Sequence, residues 1–161
     1  MTAVSSRCQD WTDGLVQATS DVAKQALSIP TGCQTVGECE KLSLQTSGAY
    51  LALISPEVQM QIGIAAGRQD CKRLAGALMM MEPDDPELTD SVLADGFGEI
   101  VNILGGALKT VMDSKHRGLT LGLPTMIHGH ITANERQELQ VTHVKLGEID
   151  AYLIVLINKT S

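Results

Sequence analysis

Aromatic and basic residues are scarce in this chain of 161 residues. It has one Trp, two Tyr and one Phe, and its 12 Lys and Arg are outnumbered by 19 Asp and Glu, which gives a formal net charge of −7. Proteins that bind nucleic acid need cationic side chains for the phosphates and commonly use aromatic faces for unpaired bases. The composition therefore argues against a nucleic-acid-binding protein.

Long apolar runs are also absent from the sequence. The longest uninterrupted run, residues 151–157, is far shorter than the roughly 18 to 20 residues that span a bilayer. The first seven residues lack the basic segment and the apolar segment that together mark a secretory signal. We therefore expect a cytoplasmic protein that does not insert into membranes.

Cysteine pairs with metal-site spacing do not occur. None of the four cysteines forms a C-x2-C pair, and a reducing compartment disfavours disulfides. We therefore predict buried or idle thiols rather than a metal or redox role. They are Cys8, Cys33, Cys39 and Cys71. The sequence also has no Ser-His-Asp order, phosphate-binding loop or dinucleotide-binding glycine pattern, so nothing supports nucleotide binding or nucleophilic catalysis.

Two histidines lie close together near the C-terminal third of the chain. In the tripeptide His128-Gly129-His130, a strand conformation would place both imidazoles on one face and so create a candidate metal pair. Two ligands without a third make a weak site. We therefore predict no metal site here and interpret both residues as loop or strand-end histidines.

The composition favours a folded chain of ordinary size. With 43% apolar and 19% charged residues, the chain can bury enough surface to offset its conformational entropy. Its length is typical of one domain, and no linker or low-complexity segment interrupts it. We expect a single domain that covers residues 1–161.

Hydrophobic periodicity predicts an α+β fold, a largely antiparallel sheet packed with about three helices. Residues 31–41 form a connection into a weak strand, and Ser55-Pro56-Glu57 is a turn that should join a hairpin. The predicted helices are residues 10–27, 68–81 and 88–113. The other predicted strands are residues 49–54, 58–65, 119–127, 138–146 and 151–157.

The third predicted helix has one narrow polar line and is apolar elsewhere when its residues are plotted at about 100° each. Most of this helix should therefore be buried. Three glycines lie on or beside the line, and because a glycine costs about 1 kcal/mol inside a helix, we expect the backbone of a docking partner to approach them. The line contains Ser91, Asp95, Glu99, Asn102, Lys109 and Asp113, and the glycines are Gly98, Gly105 and Gly106.

Glu99 and Asn102 are three residues apart and so are neighbours on one helix surface. An amide can donate one hydrogen bond and accept another, so it can orient a water without titrating. A carboxylate beside it can pair with a cation on a docked molecule. Together they suit phosphoryl transfer to water, in which positioning provides most of the catalysis. The ordinary alternative is a solvated helix face, because E-x-x-N is common by chance.

Residues 95–106, DGFGEIVNILGG, resemble a motif of the CheX, CheC and FliY chemotaxis phosphatases. That motif reads D/S-x3-E-x2-N and is followed by small residues. The order of the predicted elements, from the N-terminal helix through the hairpin to the last strands, is also similar. The resemblance is closest to CheX, because CheC-type members have two such motifs and this chain has no Asn before Asn102.

This resemblance implies hydrolysis of the aspartyl phosphate on a response-regulator receiver domain such as CheY. Glu99 would hold the active-site lysine of the receiver, and Asn102 would align the attacking water. The receiver would supply Mg²⁺, so this chain would need no cofactor of its own. The resemblance also implies a homodimer, for which residues 151–157 are a candidate pairing strand. The residues assigned to docking are Asp95, Gly98, Gly105 and Gly106.

Two other functions remain open from the sequence. The chain could be a non-catalytic interaction module of the same fold that binds a receiver domain or a motor component, with its acidic surface serving the docking. Alternatively, the polar line could serve only self-association.

Overall fold

The computed structural model describes residues 5–129 and 131–159. In this part of the chain three helices pack on one face of a seven-stranded antiparallel sheet, which confirms the predicted α+β fold class. The elements in chain order are α1 (Ser6–Gln25), β1 (Cys33–Cys39), β2 (Thr46–Ile54), β3 (Gln59–Gly67), α2 (Arg68–Met79), α3 (Asp90–Met112), β4 (Thr120–Leu121), β5 (Thr125–His128), β6 (Gln137–Leu146) and β7 (Ile149–Asn158).

Strand order places the C-terminal strand in the middle of the sheet. The order is β1-β6-β7-β3-β2-β4, and β5 also pairs with β2. Because β7 is hydrogen-bonded to β6 on one side and to β3 on the other, residues 151–157 cannot pair with a second copy of the chain. The expectation that they could do so is wrong. Among the described residues, the strands with a free side are β1 at one edge and β4 with β5 at the other.

The predicted hairpin is confirmed. Strands β2 and β3 pair antiparallel along their whole length, from Thr46 opposite Gly67 to Ile54 opposite Gln59. Ser55 and Val58 close the turn, since each backbone N–H donates to the carbonyl of the other. This hairpin provides the surface against which the long helix packs.

Residues 119–127, predicted as one strand, form two short strands instead. Both pair with β2, β4 opposite its end and β5 opposite its first half. Pro124 interrupts the ladder because proline has no N–H to donate. Between the strands, the Gly122 N–H donates to the Ala52 carbonyl at 2.8 Å. We call Gly122, Leu123 and Pro124 the bracket, because they join the two strands beside the long helix.

Hydroxyl side chains cap two of the helices. The Ser5 side chain accepts a hydrogen bond from the Cys8 N–H, so α1 begins at Ser6, four residues before its predicted start. The Thr89 side chain accepts one from the Val92 N–H and fixes the start of α3. Such caps satisfy N–H groups that have no partner within the helix.

Helix α3 forms the centre of the core. Its largest fully buried side chains belong to one cluster with side chains of α1, α2 and the sheet, and they are Phe97, Ile100, Leu104 and Leu108. By length and composition alone, α3 is the one helix of the described residues that could cross a membrane. Here the most deeply placed side of the helix packs in the core of the protein, while Val92, Ile103 and Val111 are only partly buried.

The cysteines are reduced and largely enclosed. Cys8 and Cys71 are buried, as predicted, whereas Cys33 and Cys39 are half-buried. Burial raises the pKa of the Cys71 thiol to about 12, and that of the Cys33 thiol to about 11. Thiols with such pKa values are protonated and weakly nucleophilic at neutral pH.

Candidate functional site

The motif residues lie on the outward side of α3. Asp95 and Glu99 are exposed and Asn102 is half-buried. On the opposite side of the same turns, Phe97 and Ile100 are completely enclosed by the core. The helix therefore cannot rotate without exposing these side chains, and this packing fixes the direction in which Glu99 and Asn102 point.

Glu99 and Asn102 keep their polar groups free for another molecule. Within residues 5–129 and 131–159, neither side chain takes part in the ion pairs or the side-chain hydrogen bonds, although Asp90 at the start of the same helix pairs with Arg68 at 2.9 Å. Three residues of helix correspond to about 4.5 Å along its axis, so one incoming molecule can reach both groups.

The N-terminal half of the polar line is acidic. Asp95 lies one turn before Glu99, and both carboxylates are exposed, whereas the cation of the line, Lys109, lies in the last turn. A partner that presents a cation next to its reactive group complements this charge pattern. Asn102 follows the two carboxylates directly, and Lys109 and Asp113 balance each other in charge at the far end of the line.

The three glycines of the line have different surroundings. A Cβ on Gly105 would lie 2.9 Å from Leu121 and 3.3 Å from Leu51, so this glycine is buried against β4 and β2 of its own chain. The expectation that Gly105 meets a docking partner is therefore wrong. Gly98 faces Pro124 of the bracket, with 3.5 Å from a Cβ to the proline ring, while Gly106 is exposed to open space.

We expect alanine at these two neighbouring positions to have opposite effects on stability. Gly106→Ala should raise the free energy of unfolding by about 1 kcal/mol, because alanine is favoured in a helix and meets no atom there. Gly105→Ala should lower it, since the added methyl overlaps Leu121. Urea unfolding of both variants would measure this, and a stabilised Gly105→Ala would contradict the packing described.

The motif residues project from the surface and line none of three cavities in the described part of the chain. A cavity of about 240 Å³ lies between the starts of α2 and α3, one of about 280 Å³ lies on the outer face of the sheet, and one of about 470 Å³ lies beside Arg7 and Lys159. Projecting side chains can enter a pocket of another protein. The motif residues are therefore placed to contact another molecule from the surface.

His128, one of the two histidines considered as metal ligands, contacts a hydroxyl side chain. Nδ1 of His128 lies 2.7 Å from the Ser47 hydroxyl, and His130 lies outside the described residues. In residues 5–129 and 131–159, no group of three or more His, Cys, Asp or Glu side chains could hold a metal ion. His128 therefore has a structural partner, Ser47, at the end of β5.

Sequence reasoning missed the bracket as part of this site. It lies against Gly98, one turn before Asn102, and so forms one flank of the motif surface. The sequence did contain a signal for an interrupted strand. Gly122 and Pro124 lie within a predicted strand, and both residue types weaken a strand interior. The sequence did not indicate that this interruption lies beside α3.

Comparison with known proteins agrees with this architecture. Residues 52–145, more than half of the chain, match the family described as chemotaxis phosphatase CheX. That segment includes the last three residues of β2, all of β3 and α2, and the whole of α3 with its motif. No curated protein sequence matches the chain at a significant level.

Solved structures of the same fold are similar over nearly the whole chain. The chemotaxis protein CheX from Vibrio vulnificus has a TM-score of 0.75 at 11% identity, covering 96% of this chain and all of that one. CheX in a CheX–CheY–BeF3–Mg²⁺ complex from Borrelia burgdorferi has a TM-score of 0.68 at 21% identity, covering 92% of this chain and 97% of that one.

A more distant structure extends the likeness to the wider group. FliY from Thermotoga maritima has a TM-score of 0.63 at 10% identity and covers 98% of this chain and 92% of that one. At these identities the structures show a shared fold, and the family match over residues 52–145 shows the relationship by sequence. The chain belongs to the CheX family of chemotaxis phosphatases.

Proposed function

We propose that this protein hydrolyses the aspartyl phosphate of a CheY-like receiver domain, with Glu99 and Asn102 as the two catalytic residues. The observation that carries the proposal is their joint projection from one side of a helix whose opposite side is buried in the core. Membership of the CheX family supports a chemotaxis phosphatase or CheY-interacting role. The assignment of the two side chains is our inference from the motif and its exposure.

In the proposed reaction, a water attacks the phosphorus of the aspartyl phosphate. A P–O bond to water forms, the P–O bond to the aspartate carboxylate breaks, and inorganic phosphate and the free carboxylate result. The Asn102 carboxamide accepts a hydrogen bond from this water and so holds it in line. Because an amide does not titrate, this positioning is the same across the physiological pH range.

Glu99 has a different role in this proposal. Its carboxylate is exposed one turn from Asn102 and pairs with the active-site lysine of the receiver, which fixes the orientation of the docked domains. Asp95 and the glycines Gly98 and Gly106 lie at the same surface and form the docking area. In this proposal the receiver contributes its own Mg²⁺, as the resemblance to CheX implies.

We further propose that the chain acts as a single domain in the cytoplasm and as a homodimer. The homodimer rests on the resemblance to CheX. Strand β1 offers a surface for it, because one side of β1 has no partner strand among the described residues and Val36 on it is exposed. An unpaired strand edge is a common place for a second chain to add.

The proposed activity is tested by following phosphate loss from a phosphorylated CheY-like receiver with and without this protein. We expect a small molar fraction of the protein to shorten the half-life of the phosphorylated receiver, since one molecule acts on many. A complex that forms while the half-life stays unchanged would overturn the proposal and support the non-catalytic interaction module. No complex and no acceleration would reject both for that receiver.

A further inference from the structure

Leu123 is a large apolar side chain that the protein leaves in solvent. Its exposed fraction is 88%, and it lies in the bracket between β4 and β5. Single exposed leucines are ordinary on protein surfaces. Leu123 differs from such leucines in its position, because the bracket flanks the surface that carries Glu99 and Asn102.

The bracket holds Leu123 in a fixed place. On one side, the Gly122 N–H donates to the Ala52 carbonyl at 2.8 Å. On the other side, Pro124 has a restricted backbone and packs on Gly98, and Thr125 then enters the ladder opposite Tyr50. An apolar side chain on a rigid support loses little backbone entropy when a partner covers it.

Leu123 is adjacent to the Asn102 side of the motif surface. Pro124, the next residue, contacts the position of Gly98, and Asn102 lies one helical turn further along, rotated by about 40° from Gly98. Glu99 lies further around the helix, at about 100° from Gly98. A domain that encloses the Asn102 side chain therefore extends over the bracket as well.

We propose that Leu123 is an apolar anchor for the receiver domain that docks on Glu99 and Asn102. This inference rests on the proposed function and adds the feature by which the partner is recognised, an apolar patch next to its phosphorylation site. The surface then has two parts, an acidic part on α3 and an apolar part on the bracket. An exposed leucine that a partner covers completely contributes the free energy of removing its apolar surface from water.

The test compares Leu123→Ser with Leu44→Ser. Leu44 is also an exposed leucine, at 74%, but it lies in the loop before β2, beyond the opposite end of β5. We expect Leu123→Ser to raise KM for the phosphorylated receiver about tenfold and to leave kcat within twofold of the unmodified protein. Leu44→Ser should change neither constant, and Leu123→Met should restore most of the binding.

The outcomes separate this inference from the proposed function. If the unmodified protein is active and KM for Leu123→Ser stays within twofold of that for Leu44→Ser, the anchor is wrong while the proposed function stands. A lower kcat for Leu123→Ser with an unchanged KM also overturns the proposed anchor. If the unmodified protein is inactive, the proposed function fails. The anchor is then tested by the affinity of both variants for a beryllofluoride-activated receiver. Leu123→Ser should bind about tenfold more weakly than Leu44→Ser, and equal affinities overturn the anchor.

Discussion

Replacing Asn102 with alanine is expected to lower the phosphatase rate by about 100-fold, toward the rate at which the receiver loses phosphate unassisted. The alanine variant can still dock, because Glu99 and the bracket are unchanged, but nothing orients the attacking water. The measurement is single-turnover phosphate release at saturating protein, which reports the chemical step rather than binding.

Glu99→Ala should show a different kinetic pattern from Asn102→Ala. Loss of the carboxylate removes the proposed pairing with the receiver lysine, so we expect both weaker binding and a lower rate. Ser91→Ala and Lys109→Ala are matched controls, since both residues belong to the same polar line and are exposed but lie outside the motif. Equal rates for the unmodified protein, Asn102→Ala and Glu99→Ala would contradict the proposed mechanism.

An Asn102→Asp variant separates chemistry from packing at this half-buried position. Aspartate has nearly the same shape as asparagine and can also accept a hydrogen bond, but its negative charge repels the phosphoryl group. We expect its activity to be as low as that of Asn102→Ala. Thermal unfolding of each variant shows whether the fold is retained, and activity that persists in Asn102→Asp would show that the amide is not required.

The sequence was most informative where one periodic pattern extends over many residues. The apolar positions of α3 recur at helical intervals for more than five turns, so both its limits and its polar line could be predicted closely. The β2–β3 hairpin was predictable for a related reason, because Ser55-Pro56-Glu57 separates two apolar runs by a short turn. Both features depend on local residue order.

What could not be predicted depends on contacts between distant parts of the chain. The burial of Gly105 comes from Leu51 and Leu121, and neither is close to it in sequence. The central place of β7 had a signal in its unbroken apolar run, since a strand covered on both faces needs no polar alternation. The order of the strands depends on which neighbouring strands bury the most surface together, and this cannot be read from a single sequence.

Replacing Gly63 with alanine is expected to lower the free energy of unfolding by about 3 kcal/mol. Gly63 lies in β3, directly opposite Tyr50 of β2, and the Tyr50 ring lies over it so closely that a Cβ would overlap the ring. The ring has little room to move, because Tyr50 is 99% enclosed in a cluster with Leu42 and Ile154. Urea unfolding provides the measurement.

The control for this prediction is Gly37→Ala, because Gly37 is also in a strand and a Cβ there would meet nothing within 4 Å. We expect this change to alter stability by less than about 0.5 kcal/mol. A double-mutant cycle identifies the cause, since Gly63→Ala should cost little in a Tyr50→Ala background that has no ring to displace. If the cost is the same in both backgrounds, the overlap with Tyr50 is not its source. Because β2 also pairs with β4 and β5, a displaced Tyr50 would disturb the strands that hold the bracket beside Asn102.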